Sequence, residues 1–194
     1  DSIIHKLLFA GFLQFDVKSG NIDSNLSSVM EGLAEIATSS KQISPGIIVL
    51  PELWATGFAY EKLPELTKRI PDLLEKLQAL SAKYGVHIAG SLPEYSENSY
   101  YNTLFITDPK GIAGTYRKQR LFNPMEEDTF FTPGIKPRPI QTALGPIGAL
   151  VCYDLRFPEL LRTQTALGTE LLVVPAQWPA ARLDQWRILV QARA

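Results

Sequence analysis

The sequence holds a single cysteine and only two histidines in 194 residues. One thiol cannot close an internal disulfide, and His5 and His87 are too far apart along the chain to suggest a metal cluster, so disulfide-stapled and zinc-organised folds drop out. Long hydrophobic runs are missing too: Leu7 to Leu13 and Ile147 to Val151 fall well short of a membrane span. Positive charge is not in excess, with a formal net charge of -1, so no basic face for a nucleic acid is implied. Residues 1–15 lack a secretory pattern, because Gln14 and Asp16 follow Leu13 without a small-residue cleavage site. No linker, low-complexity segment or short repeat interrupts the chain. These absences predict a cytoplasmic protein with no nucleic-acid or membrane partner, and the length predicts one domain over residues 1–194.

What is present is an ordinary globular composition, 45% hydrophobic and 20% charged, patterned for both helix and strand. Lys6 to Phe15 reads as a buried strand. Ser24 to Ser39 reads as an amphipathic helix with Leu26, Val29, Met30, Leu33, Ile36 and Ala37 on one face and Asp23 or Ser24 as its cap. The apolar run Gly46 to Leu50 predicts a strand covered on both faces. A second helix fits Asp72 to Tyr84 and ends at Gly85. Val86 to Leu92, Asn102 to Thr107 and Ile112 to Tyr116 read as strands, the last two paired antiparallel across the turn Asp108-Pro-Lys-Gly111. Beyond a proline-rich stretch from Asn123 to Pro139 come a strand at Ile147 to Cys152, a helix at Phe157 to Leu167, a strand at Glu170 to Pro175 and a helix from Leu183. Strand–helix–strand occurs near the start and again around Cys152, which predicts an α/β fold of two similar sheet layers with helices outside. The last helix is still amphipathic at Gln191-Ala-Arg-Ala194 with no capping residue, so the sequence is expected to stop inside the fold.

Three reactive side chains fall just after predicted strands, where open sheets line their ligand crevices: Glu52, Lys118 and Cys152. A carboxylate, an ammonium and a thiol together would serve acyl transfer. Lys118 would favour the thiolate, Glu52 could take the proton and return it to a leaving amine, and Lys118 with the backbone N–H of Tyr153 could stabilise the developing oxyanion. Each residue alone also fits a plainer reading: an inert buried thiol, a solvated glutamate, one charge of the basic turn Arg117-Lys-Gln-Arg120.

Together, Pro51-Glu-Leu-Trp54 with Thr56-Gly-Phe58, Tyr116-Arg-Lys-Gln-Arg-Leu-Phe122 and Cys152-Tyr-Asp-Leu-Arg-Phe-Pro-Glu159 resemble the three signature segments of the nitrilase superfamily, the carbon–nitrogen hydrolases. The resemblance implies a four-layer α-β-β-α sandwich whose C-terminal part is missing here. It also implies a Glu52–Lys118–Cys152 catalytic site without metal or cofactor, and commonly a homodimer or larger homo-oligomer. It further implies a second glutamate that holds the lysine. Glu127 is the match, with Glu126 its neighbour and rival.

Cys152 to Glu159, Gln177-Trp-Pro-Ala-Ala-Arg182 and Gln191 to Ala194 look most like the omega-amidase and deaminated-glutathione amidase branch. That resemblance implies release of ammonia from a dicarboxylate monoamide such as a 2-oxo acid omega-amide. The alternatives are nitrile or carbamyl hydrolysis, acyl transfer, or a non-catalytic binding or scaffold role. A substrate carboxylate calls for a guanidinium. Arg182 is the candidate and Arg156 its competitor, with a structural ion pair to Asp154 favoured for Arg156. Trp54, Phe122 and Trp178 are candidates for an apolar wall around the substrate or, equally, for ordinary core aromatics; Asn102 is given a strand-start role, though the stretch Tyr100-Tyr-Asn-Thr103 could also touch substrate.

Overall fold

The computed structural model describes residues 8–194; His5 and the first two residues of the strand expected from Lys6 lie outside the described residues. Within them the elements are β1 (Phe9–Phe12), α1 (Ile22–Ser39), β2 (Gly46–Val49), α2 (Leu63–Leu66), α3 (Ile70–Tyr84), β3 (His87–Ser96), β4 (Ser99–Asp108), β5 (Gly111–Arg117), α4 (Glu127–Phe130), β6 (Ile140–Thr142), β7 (Gly145–Ala149), α5 (Pro158–Ala166), β8 (Leu171–Val173) and α6 (Leu183–Arg193). Asn21, rather than Asp23 or Ser24, caps α1 by accepting the Ser24 N–H at 3.0 Å. Helix α3 ends as expected, with Gly85 in the left-handed conformation at φ 66°. Three elements escaped the periodicity: α2 and α4, each a single turn, and β6, only three residues long and hidden behind prolines.

A five-stranded sheet has the order β1-β2-β3-β4-β5 and a three-stranded sheet the order β6-β7-β8. Strands β1 to β3 run parallel, and β3, β4 and β5 continue as an antiparallel meander with Ile106 opposite Gly114. Alternation along each strand divides the core. Ile48, Ile88 and Phe105 face α1 and α3, packing with Val29, Leu33, Leu73 and Leu77. Their neighbours Ile47, Ala89, Leu104 and Ile106 face the other way, onto Ile140, Ile147 and Ala149 of the second sheet. Leu160 of α5 and Trp186 and Leu189 of α6 pack in that second cluster. The architecture is the α-β-β-α sandwich that the sequence led us to expect, the two cores lying on opposite faces of the first sheet.

Trp54 belongs to this scaffold. Its side chain is fully buried among the α1 and α3 residues and rests on Gly90, where an added Cβ would come within 2.7 Å of the indole Cδ1. Trp54→Ala should therefore cost about 3–5 kcal/mol of stability, the penalty of emptying an aromatic site. Urea unfolding measures it, and an unchanged midpoint would contradict this placement.

Candidate active site

Because β5 is antiparallel to β4, which is antiparallel to β3, it runs in the same direction as β2. The carboxyl ends of β2 and β5 therefore open at one end of the sheet, and Glu52 and Lys118 follow those ends. Cys152 follows β7 of the second sheet, held by its N–H donating to the Pro175 carbonyl at 2.9 Å beyond β8. Backbone strain aims two of these side chains: Leu53 has φ 44° and Cys152 has φ 45°, each a left-handed conformation that a non-glycine residue reaches at a cost of about 1–3 kcal/mol.

The four side chains named from the sequence meet. Lys118 Nζ donates to Glu52 Oε1 at 2.7 Å and to Glu127 Oε2 at 2.7 Å, with all three side chains only 2% exposed. Glu127 is turned inward by the left-handed Glu126 just before α4 and also accepts the Phe122 N–H at 2.7 Å. Glu126 is exposed, so the geometry separates the rivals. Cys152 Sγ donates to the Gln177 carbonyl at 3.8 Å, and the thiol lines the same cleft as the Glu52 carboxylate. The Gln177 side chain in turn donates to the Glu52 carbonyl at 2.8 Å.

Asn102 does not start a strand as the sequence suggests; it sits in the site. It lies within β4, fully buried, and its Nδ2 donates to Glu52 Oε1 at 2.9 Å and Glu127 Oε1 at 3.0 Å, so it braces both carboxylates. Only pairing across the sheet shows this, since β4 begins at the end of the sheet where β2 and β5 finish. Asp154 likewise forms no ion pair with Arg156. Its carboxylate accepts the Tyr116 hydroxyl and backbone N–H groups, while the Arg156 guanidinium donates to Gln185 of α6 at 2.6 Å.

Burial, reinforced by Glu52, pushes the Cys152 thiol well above its ordinary pKa, and the opposing pull of Lys118 does not prevent this. Lys118 alone therefore does not free the sulfur, and a base has to take the thiol's proton before it can attack. For Lys118 burial opposes the charge, but Glu52 and Glu127 outweigh it and raise its pKa, so the ammonium is permanent. Alkylation of Cys152 by iodoacetamide in the ligand-free protein should accordingly keep rising with pH beyond about 8.5, the ordinary thiol value; a plateau near neutrality would contradict this electrostatic account.

Glu52, Lys118, Glu127 and Cys152 line one cleft that opens to solvent. Phe122 and Trp178, two of the three aromatics offered as its wall, line it, and so does Tyr153, which the sequence reading named only for its backbone N–H; Trp54 does not. Phe58, Tyr60 and Met125 line it as well, and no periodicity marked them. Arg182 stands exposed at the rim, with Arg156 half-buried and its guanidinium 5.0 Å from the Trp178 ring centre. Among the described residues no cluster of three or more histidine, cysteine, aspartate or glutamate side chains is arranged to hold a metal ion, and no helix is long and apolar enough to cross a membrane.

A buried thiol facing a carboxylate and an ammonium between two sheets defines a hydrolase-type site on a nitrilase-like sandwich. The chain belongs to the carbon–nitrogen hydrolase family, whose pattern matches residues 10–194. It is 36% identical over 185 residues to the 2-oxoglutaramate amidase of Bacillus subtilis, covering 94% of this chain and 70% of that protein. Similarity to omega-amidase YafV of Escherichia coli is 31% identity over 169 residues, 85% of this chain and 65% of that one. The solved carbon–nitrogen hydrolase of Helicobacter pylori G27 shares the fold with a TM-score of 0.83 at 24% identity, covering 96% of this chain and 68% of that chain.

Proposed function

We propose that residues 1–194 act as one hydrolase domain that releases ammonia from the terminal amide of a small dicarboxylate monoamide, of which 2-oxoglutaramate is the first to test. The observation that carries this reading is the cleft itself: a buried Glu52–Lys118–Cys152 cluster lining it, apolar walls, and guanidiniums at its mouth. The 36% identity to a 2-oxoglutaramate amidase supports the substrate class. The lone thiol fits a reducing, cytoplasmic setting. Exposed Leu183, Ile188 and Val190 on α6 fit a homo-oligomer, which light scattering would test.

In the proposed reaction Glu52 takes the Cys152 proton as sulfur attacks the amide carbon. The carbonyl π electrons move to oxygen, where Lys118 and the Tyr153 N–H stabilise the charge. Glu52 returns the proton to nitrogen, the C–N bond breaks and ammonia leaves a thioester on Cys152. Water, deprotonated by Glu52, then attacks the thioester; the carboxylate product departs and the thiol is restored. Glu127 and Asn102 keep Lys118 and Glu52 in register throughout. Phe122, Tyr60 and Trp178 exclude bulk water, which strengthens each electrostatic contact.

Incubating the purified protein with 2-oxoglutaramate and a panel of other amides while assaying ammonia tests the reading; no release from any dicarboxylate monoamide would overturn it. Glu52→Gln should fold normally and lose about 10²- to 10⁴-fold in kcat, the scale of a lost acid–base group. The substrate carboxylate is assigned to Arg156 together with Arg182, a revision of the structural role first given to Arg156. Arg156→Ala should raise KM by about 10-fold or more, as expected for a lost charge-assisted hydrogen bond, with a smaller effect for the exposed Arg182→Ala. KM values unchanged from the parent in both variants would reject this clamp.

A further inference from the structure

Cys152 and Lys118 stand on different sheets, yet the proposed reaction needs them aligned to within a fraction of an ångström. Asp154 joins them. Its side chain is fully buried, and among the described residues no cationic side chain pairs with it. Four donors converge on its two oxygens. The N–H groups of Gln119 and Arg120 reach Oδ1 at 3.2 and 2.8 Å; the Tyr116 hydroxyl and the Val151 N–H reach Oδ2 at 2.8 and 3.0 Å. A carboxylate offers about four lone-pair sites, so its accepting capacity is filled. Tyr116, Gln119 and Arg120 bracket Lys118 after β5, and Val151 immediately precedes Cys152 after β7.

We propose that Asp154 is a positioning residue that staples the Lys118 segment of one sheet to the Cys152 turn of the other, setting the alignment of ammonium and thiol. The inference rests on the amidase reading for its consequence in turnover, but the staple can be tested without it. Burying a carboxylate has a cost: burial raises the Asp154 pKa to about 6 despite its donors. An amide of the same shape would avoid that cost but could not make the same contacts. Asn at this position keeps one acceptor oxygen for Gln119 and Arg120, but its NH₂ then faces the Val151 N–H, donor against donor, next to the nucleophile.

The test compares Asp154→Asn with the parent protein, using melting curves to establish folding and two reagents for the single cysteine. Acrylamide gains charge on its carbonyl oxygen as sulfur adds to its terminal carbon, so it responds to the placement of Lys118; methyl methanethiosulfonate does not require that oxygen contact. Folded Asp154→Asn should show the acrylamide-to-thiosulfonate rate ratio reduced by about 10-fold or more, and kcat for the amide reduced up to about 100-fold, with KM within about threefold. A merely stabilising residue would change the melting curve and leave the ratio alone. An unchanged ratio in the folded variant overturns the proposal. If Asp154→Asn does not fold, Tyr116→Phe, which removes one donor of the four, should lower the ratio by about threefold, and no change there overturns it equally. Should the parent protein hydrolyse no amide while the ratio still falls, the staple stands and the proposed reaction fails.

Discussion

Cys152→Ala is expected to reduce ammonia release by at least about 10⁴-fold while leaving the protein folded, the scale seen when a hydrolase loses its nucleophile. The side chain is the only thiol in the chain and sits where Glu52 can take its proton, so no neighbouring group can substitute for it. Although the thiol is buried, it borders the open cleft, so removing one sulfur atom creates little enclosed cavity and thermal stability should change only slightly. The backbone supplies a sharper check. Cys152 is held at φ 45°, which alanine tolerates no better but glycine adopts freely. Cys152→Gly should therefore be more stable than Cys152→Ala by about 1 kcal/mol, as inactive as it, and distinguishable from it by urea titration. Wild-type turnover in either variant would end the thioester mechanism. Equal stability of the two would mean that the turn is not strained by its nucleophile.

Lys118→Met should be the most damaging change to both stability and activity. The ammonium lies 2.7 Å from each of two carboxylates, and all three side chains are 2% exposed. Removing the cation leaves Glu52 and Glu127 buried with only the Asn102 amide between them, a loss of about 3–5 kcal/mol on the scale of broken buried ion pairs. Turnover should fall to background because the oxyanion loses its cationic partner. Lys118→Met/Glu127→Gln removes one of the stranded charges and should recover much of the stability but none of the activity. Urea unfolding and the ammonia assay, run on the same preparations, separate the two effects. A single variant as stable as the parent would show that the ion-pair cluster contributes nothing to folding, and activity in the double variant would remove Lys118 from the reaction.

The elements that were legible in the sequence are those with strong local signals. Helices α1 and α3 carry long apolar stripes, and α3 ends on a glycine in the left-handed conformation that the chain there requires. Strands β2 to β5 and β7 show apolar runs or alternation bounded by turns. Single-turn α2 and α4 and three-residue β6 have too few residues for any period to emerge. Among the candidate site residues, Glu52, Lys118, Cys152 and Glu127 were named from motifs and lie together. Asn102, Tyr60, Phe58 and Gln177 were not assigned to the site, because each reaches it through cross-strand pairing or a loop that leaves no local trace.

From sequence alone came the chemistry available: no metal-ligand cluster, no membrane-length run, and three reactive side chains, the lone thiol among them, each just beyond an apolar strand. Tertiary structure settled which way each side chain points. Glu52 and Trp54 are two residues apart in one motif, yet the carboxylate enters the cleft and the indole enters the core, because the backbone turns through a left-handed residue at Leu53 and Gly90 leaves room for the ring. Local pattern encodes burial, which is a property of each residue and its neighbours. Direction and partnership depend on how distant segments twist and stack, as when β5 comes to run with β2 and Asp154 bridges two sheets.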